Sequence, residues 1–183
     1  RITKEFEEWS SSGLKVLALA FKNDGNLREL KDFKWAGLVG IDDPIRSSVK
    51  EAIALCRRAG IKVKIVTGDY RGTAVKVAEA IGLDFKQDQI LEGKDIEPMT
   101  EAEMAKVADD VVVFCRVAPH HKLKIVSALQ ACGEVTAMIG DGVNDAPALK
   151  KANIGITVGN ASDVARETAG LILIDSNFRT VVS

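Results

Sequence analysis

From about residue 45 onward, the apolar positions of this chain alternate between helical and strand spacing. Val49, Ala52, Ile53 and Cys56 recur at helical intervals, with Ser47 and Ser48 placed to cap the helix and Gly60 to stop it. The run 61–66 (IKVKIV) reads as a strand that ends abruptly at Thr67-Gly68-Asp69. A helix follows over about 73–81 and stops at Gly82. Thr100 and Glu103 have the spacing of a capping box, so another short helix starts there. Residues 111–115 (VVVFC) are wholly apolar, as in a parallel strand covered on both faces. Pro119 suits the first turn of a helix that runs through Cys132 and ends at Gly133. Residues 135–139 form the next strand, closed by Gly140-Asp141-Gly142, and strands at 153–158 and 171–174 flank a helix near 162–169. Strand, helix and strand repeated in this order predict an α/β fold with a parallel sheet.

The first 36 residues follow another pattern. Residues 2–9 read as a short amphipathic helix, 14–21 as a strongly apolar strand, and 23–34 as a polar connection. A boundary near Gly37 therefore separates 1–36 from an α/β part over 37–183.

Composition narrows the function classes. Hydrophobic residues make up 46% of the 183 and charged residues 28%, enough apolar content to bury a core. Twenty-five Lys and Arg against 26 Asp and Glu leave a net charge of -1, which argues against a general nucleic-acid-binding protein. No apolar run approaches the roughly 20 residues of a membrane-spanning helix, and 1–9 lacks the hydrophobic stretch of a signal peptide. Cys56, Cys115 and Cys132 form no CxxC and sit in apolar stretches, which predicts buried thiols in a reducing compartment and excludes a structural zinc site.

Candidate chemistry gathers where strands end, the place where open α/β sheets bind ligands. In Gly140-Asp141-Gly142-Val143-Asn144-Asp145 the glycines allow a sharp strand-to-helix turn that clusters two carboxylates and an amide. Such an oxygen-rich site suits a hard cation, Mg²⁺ best, since that ion takes one or two carboxylates and completes its shell with water and phosphate. A plain turn with Asn144 as a helix cap is the alternative. Thr67, with nearby backbone N–H groups, can hold a phosphate oxygen, or can simply close a turn. Lys122, one turn into the helix from Pro119, can reach a phosphate as a point charge, or can be solvated. His120 and His121 are adjacent and should diverge from the helix, which favours exposure or packing over joint metal ligation.

The segment 138–152 (MIGDGVNDAPALKKA) resembles the hinge motif of P-type cation-transporting ATPases. Asp43-Pro44-Ile45-Arg46, Thr67-Gly68-Asp69 and Phe114-Cys115-Arg116-Val117-Ala118-Pro119-His120-His121-Lys122 follow in that family's order, and Asp175-Ser176-Asn177-Phe178 resembles the lead-in to its stalk helix. The resemblance implies a haloacid-dehalogenase-like fold: a parallel Rossmann-like sheet flanked by helices, over 37–183, as the phosphorylation domain. Residues 1–36 would then be the tail of an α+β nucleotide-binding domain and its hinge. It further implies that Asp141 and Asp145 serve Mg²⁺, with Asn144 shaping the site. Thr67 and Gly68 would hold phosphoryl oxygens, and Lys122 would neutralise the transferring group. Arg46, Asp69 and Arg116 would touch ATP. The implied partners are ATP, a transported cation, with calcium favoured, and the other domains and membrane helices of the same pump. No nucleic acid is expected, and the implied location is the cytoplasmic face of a membrane.

The family's nucleophile lies in Asp-Lys-Thr-Gly-Thr, which does not occur in these residues, and aspartyl-phosphate formation requires that carboxylate. The chain by itself is therefore expected to be inactive. Tyr70 stands where the family more often has Asn or His, and Asp43-Pro44-Ile45-Arg46 has one proline where many relatives have two. Two other readings stay open: a free-standing phosphatase using Asp42 or Asp43, and a non-catalytic metal- or nucleotide-binding module. The resemblance also places the strand leading to the nucleophile between the strands ending at Thr67 and Gly140. With that strand absent from these residues, the expectation is that another segment or chain fills the slot.

Overall fold

The computed structural model describes residues 2–23, 31–42, 44–175 and 178–182. Helix α1 (Ile2–Ser11) leads into β1 (Lys15–Phe21), which pairs antiparallel with β2 (Lys34–Ile41). The register shifts where Leu19 faces Gly37 and Ala20 faces Trp35, leaving Ala36 as the extra residue of a bulge. The boundary drawn near Gly37 thus falls inside β2, at that bulge. Most of the polar connection at 23–34, and Asp43 of the Asp-Pro segment, lie outside the described residues, as do positions 176 and 177.

Helix α2 (Ser47–Arg58) takes Arg46, not either serine, as its cap residue, because Val49 N–H already donates to Arg46 O and draws both serines into the first turn. Gly60, at φ +75°, closes the helix: its N–H donates to Arg57 O, and that of Ile61 to Cys56 O. Ile61 is therefore committed to the helix end, and the strand read over 61–66 contracts to β3 (Ile65–Val66). The Lys64 ammonium meets Asp109 O and Val111 O at 2.6 Å each.

Next come α3 (Arg71–Ala80), β4 (Ile90–Glu92), α4 (Gly93–Ile96) and α5 (Glu101–Ala108). The strand β4 and helix α4 are too short to register as periodic patterns. At α5 the capping box forms as its spacing predicts, with Thr100 Oγ1 accepting from Glu103 N–H at 3.2 Å and Glu103 Oε2 accepting from Thr100 N–H at 2.8 Å. After β5 (Val113–Cys115) and α6 (Pro119–Ala131) come β6 (Ala137–Ile139), α7 (Ala146–Lys151), β7 (Ile154–Val158), α8 (Asp163–Thr168) and β8 (Leu171–Leu173).

The parallel strands form two sheets, ordered β3-β5-β4 and β6-β7-β8. In β5, alternation sends Phe114 to one face, with Ile96, Met104 and Ile125, and Val113 and Cys115 to the other, with Ala74, Ala78 and Ile90. The second sheet packs Met138 against Ala148, Leu149 and Ala165. Helix α6 serves both sheets, sending Ile125 and Ala128 into the first core and Val126 into the second.

β3 and β6 are each an end strand of their sheet and do not pair with one another. Ile65 and Thr67 donate their N–H groups toward β5, so by strand parity the peptide groups of Val66 turn to the open side. Gly140 N–H donates to Ile156 O and Ile154 N–H to Thr136 O, so those of Ala137 and Ile139 turn away from β7 likewise. The approaches to the two strands are tied by Lys62, which meets Glu134 at 3.0 Å and Asp109 at 2.8 Å.

Cys56 and Cys115 are buried as expected, but Cys132 is exposed, because it follows the last turn of α6 just before Gly133 carries the chain away at φ +85°. Burial pushes the Cys115 thiol up to about 11, so it stays protonated and inert near neutral pH. Mass-spectrometric mapping of thiol alkylation in the native protein should find Cys132 modified while Cys56 and Cys115 react only on unfolding. Equal labelling of Cys115 and Cys132 would contradict this packing.

Candidate functional site

The turn after β6 is organised by a buried ion pair. Lys122 Nζ from α6 meets Asp145 Oδ1 at 2.5 Å, with the two side chains only 15% and 9% exposed. The other carboxylate oxygen, Asp145 Oδ2, accepts from Gly142 N–H at 3.1 Å. Position 140 must be glycine for this to fit, since a Cβ there would lie 2.5 Å from Asp145 Cβ. From β7, fully buried Thr157 donates its hydroxyl to Gly140 O at 2.6 Å and pins the end of β6. Asp141 and Asn144 remain exposed, and the backbone carbonyl of Asp141 accepts from Ser162 N–H at 2.9 Å.

The turn after β3 closes on itself. Thr67 Oγ1 donates to Asp69 Oδ2 at 2.8 Å and accepts from Asp69 N–H at 3.1 Å. Two backbone bonds tie this turn to the end of β5, Arg116 N–H to Asp69 O at 3.0 Å and Val117 N–H to Thr67 O at 3.1 Å. Arg116 adopts φ +53° there, an uncommon conformation for a residue with a side chain. A cavity of about 380 Å³ opens beside the turn, lined by Phe6, Leu14, Gly68, Asp69, Tyr70 and Arg116 among others.

A third cluster lies at the start of α6. His120 Nε2 and His121 Nε2 both meet Glu97 Oε2, the first at 2.8 Å. The two rings sit 4.1 Å apart, so the adjacent histidines converge where helical geometry alone made them diverge. The helix start explains it: His121 Nδ1 accepts the Ala118 N–H at 3.0 Å, which folds its ring back over the first turn. That bond leaves the His121 proton on Nε2, facing Glu97. A metal ion at Nε2 would need that proton gone, so the trio is a hydrogen-bonded clasp rather than a metal site. One turn further along the same face of the helix, Lys124 Nζ donates to the carbonyls of Ile96, at 2.8 Å, and Met99.

Helix α6 thus brings Lys122 to Asp145, while the β3–α3 turn and the end of β5 gather Thr67, Gly68, Asp69 and Arg116. Arg46 is exposed at the start of α2, a helix that packs mainly on the turn Phe178–Val182. The spacing of Asp141 and Asp145 predicted two carboxylates clustered at the turn; in the structure Asp145 is buried on Lys122 and Asp141 is exposed. Thr157 and Glu97 escaped the sequence reading. A threonine inside the apolar run of β7 was the available signal for the first, and nothing in the sequence marked the second.

The sequence pattern of the haloacid dehalogenase-like hydrolases matches residues 3–153. A calcium-transporting ATPase of Bacillus subtilis (strain 168) is 44% identical over 181 residues, which cover 95% of this chain and 20% of that protein. The calcium-transporting ATPase type 2C member 1 of Bos taurus is 43% identical over 181 residues, covering 98% of the chain and 18% of that protein. Calcium-transporting ATPase 1 of Lactococcus lactis subsp. lactis (strain IL1403) is 42% identical over 183 residues, covering 97% and 21%. The chain therefore spans about a fifth of the length of these relatives.

Two measurements test the geometry. Hydrogen bonds from His120 and then His121 hold the Glu97 carboxyl below its ordinary value of 4.5. A depressed folded-state value means stability that is present above the unfolded value and is lost as pH falls through the folded one. Glu97→Gln should therefore lower stability at neutral pH and weaken its loss below pH 4.5; an unchanged acid-unfolding curve would refute the clasp. For the buried pair, removing either Lys122 or Asp145 alone should cost about 3–5 kcal/mol. Chemical denaturation of the single and double variants should show a coupling of at least about 1 kcal/mol, and additive losses would disprove the pairing.

Proposed function

This chain belongs to the haloacid dehalogenase-like hydrolases, and from that premise we propose that it is the phosphoryl-transfer portion of a calcium-transporting P-type ATPase. In this reading residues 37–183 belong to the phosphorylation domain and 1–36 to the tail of the nucleotide-binding domain and its hinge, on the cytoplasmic face of a membrane. Calcium is the cargo named for the relatives above, and its selection belongs to membrane helices, none of which occurs among the described residues. The observation that carries the reading is the placement of Thr67 and Asp141 at the ends of the strands β3 and β6, which do not pair, with Lys122 held on Asp145 in the turn after β6.

Phosphoryl transfer asks a protein mainly for positioning and charge stabilisation. Lys122 supplies a cation whose position the buried carboxylate of Asp145 fixes. To hold a phosphoryl oxygen, Thr67 turns its hydroxyl away from Asp69, which frees the Asp69 carboxylate for the nucleotide. The backbone N–H of Gly68 adds a second donor at the same turn. Arg116, Asp69 and Arg46 contact ATP between the two domains. The donor set fits Mg²⁺: with Asp145 committed to Lys122, Asp141 offers one exposed carboxylate, Asn144 an amide, and phosphate and water complete the shell. When bound, the ion neutralises charge on the phosphate oxygens. The nucleophilic aspartate comes from a segment outside these residues, and the strand leading to it fits the slot between β3 and β6.

The test is formation of the acid-stable phosphoenzyme from ATP and Mg²⁺ in the full-length protein. Asp141→Asn should sharply reduce it. Lys122→Ala should cost on the order of 2–4 kcal/mol of transition-state stabilisation. Lys124→Ala should keep the rate and lower only thermal stability, because that lysine caps α4 instead of facing the site. Wild-type phosphorylation in Asp141→Asn, or a greater loss in Lys124→Ala than in Lys122→Ala, would sink the assignment.

A further inference from the structure

Arg116 has a fixed backbone and a long, flexible side chain. Its N–H is bonded to Asp69 O and its φ is +53°, so the side chain leaves the β5 end in one direction, toward the cavity beside Thr67. The guanidinium then rests over the ring of Tyr70, its Cζ 4.5 Å from the ring centroid, and among the described residues no other partner holds it. Tyr70 is itself braced by a second ring. Phe6 of α1 meets it edge to face, with centroids 5.0 Å apart and planes at 75°. α1 in turn packs on α3, the helix that Tyr70 caps.

We propose that Tyr70 is a positioning residue for the nucleotide: its ring holds the Arg116 guanidinium at the mouth of the cavity, poised for an anionic ligand. An arginine left loose must order a side chain rich in rotamers on binding, and a preset one loses less freedom when its partner arrives. The ring face attracts the cation without neutralising it, as a carboxylate would, so the full positive charge stays available to phosphate. The phenol oxygen has no part in this, and Tyr70 remains 46% exposed, as suits the rim of a binding cavity.

The proposal rests on the reading that Arg116 meets ATP, and the experiment separates the two. In the full-length protein, Tyr70→Ala should raise the KM for ATP about two- to fivefold, the range a half-exposed cation–π contact is worth. The kcat at saturating ATP, and phosphorylation by inorganic phosphate, which needs no nucleotide, should stay at the wild-type level. Tyr70→Phe should behave as wild type, because it keeps the ring. In an Arg116→Ala background, Tyr70→Ala should add nothing. A normal KM in Tyr70→Ala beside a raised KM in Arg116→Ala, or equal increments in both backgrounds, overturns the role of Tyr70. An unchanged KM in Arg116→Ala overturns the placement of the nucleotide in this cavity, and the role of Tyr70 with it.

Discussion

Helix α6 has to satisfy two sheets at once, and most of the structure follows from how it does so. Ile125 and Val126 are neighbours in sequence and lie about 100° apart around the helix, and they enter different cores. A helix that buries two faces in this way sits over the seam between β3-β5-β4 and β6-β7-β8 and fixes their separation. Pro119 sets where the helix begins, and His121 closes its first turn through Ala118 N–H. Once register and start are fixed, Lys122 and Lys124 have no choice of direction: one meets Asp145, the other the carbonyls ending α4.

The ion pair that results is better understood as placement than as stability. Taking a lysine and an aspartate out of water costs several kcal/mol per ion, and their attraction offsets this only with good geometry and further hydrogen bonds. Asp145 meets those terms, with Lys122 on one oxygen and Gly142 N–H on the other. Apolar residues of similar volume would stabilise the fold as well. What they would lack is a cation held at the end of a strand, beside an exposed Asp141. The same economy appears at β3, where the Thr67–Asp69 bonds keep a hydroxyl and a carboxylate ready in a turn that would otherwise leave both to water.

How much of this was legible in the sequence depended on the range of the interaction. The alternation of helix and strand from α2 onward, short β4 and α4 apart, and the capping box at Thr100 and Glu103 were readable because periodicity and short spacings encode them. The crowding of glycines and carboxylates after β3 and β6 was readable too, because it is local to Thr67-Gly68-Asp69 and Gly140-Asp141-Gly142. Strand lengths were not, since Ile61 and Thr136 match strand composition yet give their N–H groups to a helix end and to the Asn153 side chain. Nor was the unequal fate of Asp141 and Asp145, which a lysine on another helix decides. The convergence of His120 and His121 on Glu97 was equally hidden, because that one residue lies 23 positions from the first and 24 from the second.

The end strands β3 and β6 raise the remaining physical question, why, among the described residues, they do not pair with one another. Part of the answer is length: Ile65–Val66 and Ala137–Ile139 offer so few groups that pairing them would gain little, and short, lysine-flanked edges are a known way of keeping a sheet from recruiting strangers. Lys62 and Lys64 flank β3, both held by groups around Asp109. The larger part is α6. Drawing β6 against β3 would pull the Met138 core toward the Phe114 core, and Val126 and Ile125 could no longer both stay buried on one rigid helix. Losing either would cost about 1.5–3 kcal/mol of buried side chain, against a net gain of roughly 0.5–1.5 kcal/mol for each new hydrogen bond. With so few bonds on offer and whole cores to disturb, the two sheets stay separate, each packed on its own side of α6.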